Sequence, residues 1–210
     1  MYNRFQYISQ GHTPEEHLSN CEKVLAAGGK WIQLRMKNFP LEEVEETALQ
    51  VQSLCATFGA TFIINDHVDL AKKINADGVH LGLTDLPVRE ARLILGQEKI
   101  IGGTANTLKD VLQRIDEGCN YIGLGPFRFT RTKEKLSPIL GLEGYRSIIG
   151  RLDEKQRKTP IVAIGGIQVE DISSILATGI SGIAVSGVLT NPSNTKEIVE
   201  RINTIGYEPA

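Results

Sequence analysis

The chain predicts an α/β fold, a single (β/α)8 TIM barrel spanning residues 1–210. Three observations predict it. Short apolar runs alternate with longer amphipathic stretches, the alternation repeats eight times, and no shift in composition or interdomain linker interrupts it. Short, wholly apolar strands are the kind that helices cover on a parallel sheet. Eight such strands close well into a barrel. A doubly wound open sheet is the alternative, weakened because no Gly-x-Gly-x-x-Gly follows the first strand.

The first predicted strand is residues 5–8, and Thr13 or Pro14 opens the helix after it. The second strand is 31–34; Pro40 stands where the second helix begins. That helix is the clearest, because Leu41, Val44, Ala48, Val51, Leu54, Cys55 and Phe58 recur at three- and four-residue intervals. Strands at 61–64, 78–81 and 100–102 follow. Asn106 or Thr107 caps a fifth helix marked by Leu108, Val111, Leu112 and Ile115. Strands at 121–124 and 161–164 come next, then a helix carrying Val169, Ile172, Ile175 and Leu176, then a last strand at 182–185. Gly28, Gly59, Gly118 and Gly179 sit where helices end and a left-handed residue is needed.

Composition narrows the class of function. With 41% apolar and 23% charged residues and a net charge of −2, the chain has neither the profile of disorder nor the basic footprint of a nucleic-acid binder. No apolar run approaches a membrane span, and the N-terminus lacks the apolar core of a signal peptide, so a cytoplasmic location is expected. Cys21, Cys55 and Cys119 are an odd number without a Cys-x-x-Cys pair, and are expected as reduced, buried small hydrophobes.

In a barrel of this kind the segments after the strands build the active site. Strand two leads into Gln33-Leu34-Arg35-Met36-Lys37, with two cations on alternate residues that share one face of an extended chain. Asn65-Asp66 follows strand three, Asp85 lies shortly after strand four, and Thr104-Ala105-Asn106 follows strand five. Either Asp alone reads as a turn former. On adjacent strands they converge, and two carboxylates with substrate phosphate oxygens are a set of ligands for Mg2+. Arg35, Lys37 and Lys133 then suit a metal-bound di- or polyphosphate better than a simple monophosphate. Gly165-Gly166 and Ser186-Gly187 meet the expectation of a second phosphate site after strands seven and eight. The rim is thus equipped for two phosphorylated small molecules. The connection at 125–138 is its longest and is expected to close over them. His80, inside a strand, is expected to be packed or hydrogen-bonded rather than catalytic. No Ser-His-Asp arrangement is suggested.

Taken in order, Gln33-Leu34-Arg35-Met36-Lys37, Asn65-Asp66, Gly78-Val79-His80-Leu81-Gly82 with Asp85, Thr130-Arg131-Thr132-Lys133 and Ile164-Gly165-Gly166-Ile167 resemble the thiamine-phosphate synthase family over nearly the whole chain. The resemblance implies a transferase that joins hydroxymethylpyrimidine diphosphate to hydroxyethylthiazole phosphate, giving thiamine phosphate and pyrophosphate. It implies Mg2+ on Asp66 and Asp85. It assigns Gln33, Arg35, Lys37, Asn65, Thr104 and Lys133 to the pyrimidine diphosphate, with Arg35, Lys37 and Lys133 as the catalytic cations. Thr130, Thr132, Gly166 and the Val185-Ser186 turn go to the thiazole phosphate. The family's reaction ionises the pyrimidine–diphosphate bond, so no protein nucleophile is needed.

The chain also departs from that family. Leu83 stands where Gln is usual, Thr104 where Ser is common, and Asn106 where His is frequent. Arg128-Phe129 replaces an aromatic-Pro pair, and Gly187 rather than Ser186 falls opposite the family's Ser. Two other readings stand beside it: a thiazole tautomerase-like barrel, and a non-catalytic barrel that senses phosphorylated ligands. The sequence leaves the oligomeric state open, a homodimer included.

Overall fold

Each strand pairs in parallel with the next in chain order, and the eighth pairs back with the first, closing a barrel. This computed structural model describes residues 4–129, 138–190 and 194–207. The strands are β1 (Phe5–Ile8), β2 (Trp31–Leu34), β3 (Thr61–Asn65), β4 (Gly78–Leu81), β5 (Ile100–Ala105), β6 (Tyr121–Leu124), β7 (Ile161–Ile164) and β8 (Gly182–Val185). Helices α1 (Pro14–Ala26), α2 (Leu41–Phe58), α3 (Val68–Lys73), α4 (Val88–Leu95), α5 (Leu108–Asp116), α6 (Gly141–Gly150) and α7 (Ile172–Leu176) fill the crossovers. Helices α8 (Gly187–Thr190) and α9 (Thr195–Tyr207) follow the last strand. No described helix is long and apolar enough to cross a membrane.

The helix ends follow from local chemistry. Thr13 caps α1 by accepting the Glu16 N–H, with Pro14 in the first turn, where its missing donor costs nothing. Pro40 precedes α2, and Gly59 closes it in the left-handed region. Of the two candidates for α5, Thr107 is the cap: it forms a capping box with Asp110. Asn106 instead donates through Nδ2 to the Gly125 carbonyl, tying the end of β5 to that of β6.

Alternation along the strands sorts side chains into two cores. Ile8, Trp31, Ile63, Tyr121, Val162 and Ala184 pack together inside the barrel. Tyr7, Ile32, Phe62, Ile64, Ile122, Ala163 and Ile183 face outward and pack with the helices. Because the period is two, Gln33, Asn65, Thr104 and Ser186 are in phase with the inward set. Two expected strands run further than the sequence suggested, β3 to Asn65 and β5 to Ala105. Thr104 therefore stands within β5 rather than after it. Gly102 and Gly103 hide that extension: a Cβ on Gly102 would lie 2.2 Å from the Tyr121 ring, and one on Gly103 2.8 Å from Arg114 Cδ. The cysteines are all buried and free, and burial pushes the Cys55 and Cys119 thiols up to about 12.

Candidate active site

Parallel register carries the strand ends to one rim. Asn65 pairs with His80, and the next residue, Asp66, donates its N–H to the His80 carbonyl at 2.9 Å. Asp66 has φ 66, a left-handed conformation that Asp tolerates better than most residues. It turns the carboxylate towards the loop after β4. There Asp85 Oδ2 accepts the Gly82 N–H at 2.5 Å. The Asp66 and Asp85 carboxyls are close enough to hydrogen-bond each other.

Lys37 Nζ lies 3.4 Å from Asp66 Oδ2. Arg35, partly buried, also acts on Asp66 through its charge. The two alternate cations beyond β2 thus bear on one carboxylate, as the extended spacing predicts. Burial, then the neighbouring Asp85, raises the Asp66 carboxyl to about 6, against an opposing pull from Lys37. Burial pushes Asp85 the same way. Hydrogen bonds from Asp66 and the Gly82 N–H, with Lys37 and His80 adding, outweigh it and hold Asp85 below its ordinary value. Two like charges have been brought together under one ammonium.

Beneath the carboxylates the lumen is polar. Gln6 Nε2 donates to Tyr121 Oη at 3.1 Å. That oxygen lies 3.0 Å from His80 Nδ1, and His80 Nε2 lies 3.0 Å from Thr104 Oγ1. His80 is therefore held at both ring nitrogens and in turn fixes the Thr104 hydroxyl. Gln33 is 1% exposed, and its Nε2 has no hydrogen-bond partner within the described residues. A buried amide donor in that state costs about 1–3 kcal/mol. Its inward phase marks it as a donor available to the lumen.

Arg35 is held from behind. Its N–H donates to Ser9 Oγ at 2.9 Å, and Ser9 Oγ lies 2.8 Å from Nδ1 of the buried His17. Ser9 and His17 escaped the sequence reading because neither carries a rim motif. Arg114, on α5, escaped too: it donates to the Thr104 and Gly82 carbonyls at 3.1 and 2.8 Å. The only sequence signal was a cation beside the apolar stripe, next to Ile115, which is ordinary on a helix.

On the far side of the rim, Gly165 and Gly166 both have positive φ, 99 and 69. Ser186 donates to Gln10 Oε1 at 3.2 Å. The Val185 side chain packs into the outer core, so only its backbone remains for a ligand inside the rim. Thr130, Thr132 and Lys133 lie outside the described residues, as does most of the expected closing loop.

Comparison with known proteins agrees with this fold. Residues 6–189 match the family model described as thiamine monophosphate synthase. A thiamine-phosphate synthase of Flavobacterium psychrophilum is 59% identical over 203 residues, covering 97% of this chain and 98% of that one. A second, from Flavobacterium johnsoniae, is 52% identical over 203 residues, covering 97% and 96%. Among solved structures, thiamine phosphate pyrophosphorylase from Pyrococcus furiosus superimposes with a TM-score of 0.83 at 29% identity, over 97% of this chain and 95% of that one. With strand order and whole-length similarity in agreement, the chain belongs to the thiamine monophosphate synthase family.

Proposed function

We propose that the rim joins hydroxymethylpyrimidine diphosphate to hydroxyethylthiazole phosphate, with Asp66 and Asp85 binding Mg2+ and Arg35, Lys37 and Lys133 receiving the departing diphosphate. The thiamine-phosphate synthase reaction follows from family membership. The residue roles rest above all on the carboxylate pair with Lys37 beside it. Hard oxygen donors at hydrogen-bonding separation suit a small divalent cation, which relieves their mutual repulsion. Among the described residues no group of three or more His, Cys, Asp or Glu could hold a metal. The remaining ligands of a bound Mg2+ would then be water and diphosphate oxygens. When bound, the ion supplies charge that stabilises the leaving oxygens.

The protein's own part is electrostatic and positional. Lys37 and Arg35 lie where negative charge grows on the leaving group as the methylene C–O bond breaks. Diphosphate departs with the electron pair, and the thiazole nitrogen lone pair forms the new C–N bond, so no side chain need exchange a proton. Gln33 Nε2, Asn65 and the Thr104 hydroxyl supply lumen-side polar groups for the pyrimidine. The Gly165-Gly166 turn, the Val185 backbone and Ser186, with Thr130 and Thr132, take the thiazole phosphate. On this reading the partners are small phosphorylated molecules, and the cytoplasm, where the three thiols stay reduced, is the place of work.

Incubating the protein with both substrates and Mg2+ should give thiamine phosphate and one pyrophosphate per turnover. Asp66→Asn and Asp85→Asn, which keep shape and remove charge, should each cut turnover at least tenfold while far-UV circular dichroism stays native. Full activity of both variants across Mg2+ concentrations would remove the metal assignment. Thiazole isomerisation without pyrophosphate would replace the synthase reading with a tautomerase-like one.

A further inference from the structure

Arg128 stands where the family usually has an aromatic-Pro pair, and its side chain spans two of the segments that form the rim. Its Nη1 donates to the Gly166 carbonyl at 2.8 Å. The same guanidinium grips Asp171 with both arms, Nη1 to Oδ2 and Nη2 to Oδ1, each at 2.9 Å. It also lies 5.2 Å from the Phe127 ring centre, a cation–π distance. The backbone adds two bonds between the same segments: Phe127 N–H to the Ile164 carbonyl at 2.9 Å, and Arg128 N–H to the Gly165 carbonyl at 3.0 Å. Asp171 in turn accepts the Gln168 N–H at 2.8 Å. The arginine thus fastens the exit of β6 to the turn after β7 and to the cap of the 3₁₀ turn at Val169–Asp171.

From this geometry we propose that the Arg128–Asp171 pair presets the Gly165-Gly166 turn for the monophosphate substrate, making both positioning residues. The proposal rests on reading that turn as the thiazole-phosphate site. A peptide unit is planar, with its C=O and N–H opposed. Fixing the Gly166 carbonyl on Arg128 therefore fixes the opposite direction of the Ile167 N–H. Glycines at positive φ leave this turn many conformations, and holding one in advance lowers the ordering cost of binding. A guanidinium suits the task because one planar fork meets a carboxylate and a carbonyl together, whereas an ammonium is a single point of charge.

The test is steady-state kinetics with each substrate varied at saturating levels of the other and of Mg2+, on Arg128→Met, Asp171→Asn and Arg128→Lys. Arg128 is half open to solvent, so the expected effect is moderate: KM for the thiazole phosphate rises about three- to tenfold in all three. The KM for pyrimidine diphosphate and kcat stay within about twofold. Arg128→Lys should recover thermal stability but not the thiazole KM, which a merely structural bridge would not do. No change in that KM, or equal changes for both substrates, overturns the proposal. Gly166→Ala separates the two levels of inference. If Gly166→Ala leaves the thiazole KM unchanged, the turn is not the phosphate site. If it raises that KM while Arg128→Met does not, the turn is the site and Arg128 does not preset it.

Discussion

Arg114 is buried, with 4% of its side chain exposed, and each of its three guanidinium nitrogens makes a hydrogen bond, two of them to the rim. It bonds the Thr104 and Gly82 carbonyls and pairs with Glu117 at 2.8 Å. Gly82 is also the residue whose N–H fixes Asp85, so Arg114 supports a carboxylate that it does not touch. Removing one partner of a buried pair is costly, because the other loses its compensation. Arg114→Met should lower unfolding free energy by about 3–5 kcal/mol, measured by urea titration. A loss under about 1 kcal/mol would show that α5 holds the rim without it. This residue was not legible in the sequence, since its partners lie 10 and 32 positions away. The Asp66–Asp85 pair was legible, because adjacent parallel strands bring their ends together whatever the side chains. His80 shows the boundary between the two cases. Its place in a strand predicted packing or hydrogen bonding, but Gln6 and Tyr121 as links in its network are visible only once the barrel closes.

At the level of elements, local signals read well wherever one side chain decides the outcome. The α2 boundaries, residues 41–58, follow from the apolar period, with Pro40 before it and Gly59 after it. The end of β5 did not read well, because Gly102-Gly103 is a poor strand former by propensity. Both glycines answer to tertiary neighbours, Tyr121 on the inner face and Arg114 on the outer. Between these extremes lies α5, where the sequence offered Asn106 and Thr107 as alternatives. The reciprocal bonds between Thr107 and Asp110 decide it, at 3.2 Å for Asp110 N–H to Thr107 Oγ1 and 2.9 Å for the return. Thr107→Ala should cost about 1 kcal/mol of stability in chemical denaturation. Asn106→Ala tests a different contact, the tie to the Gly125 carbonyl, and should alter rim function more than α5. If the two variants have interchanged effects, the division of labour between these neighbours is wrong.

The whole molecule couples the rim to stability. Among the described residues, every proposed ligand group lies near the C-terminal end of a strand or shortly after it, on segments far apart in sequence, so unfolding scatters the site and abolishes binding. A ligand that binds only the folded chain stabilises it by RT ln(1 + [L]/Kd), about 2.7 kcal/mol at a hundredfold excess over Kd. For a chain of this length that corresponds to a rise in Tm of about 5–11 °C. Pyrophosphate with Mg2+ should produce such a rise when supplied near that excess. Either component alone should do less, since the carboxylates need the cation before they can share a rim with a polyanion. Asp66→Asn removes a charge from the proposed metal pair and should abolish most of the Mg2+-dependent part. Arg128→Met, on the other side of the barrel mouth, should keep it. Differential scanning fluorimetry across the four combinations of ligand and metal reads all of this in one experiment. Equal stabilisation with and without Mg2+, or an Asp66→Asn response identical to the parent protein's, would mean that the diphosphate is held by cations alone.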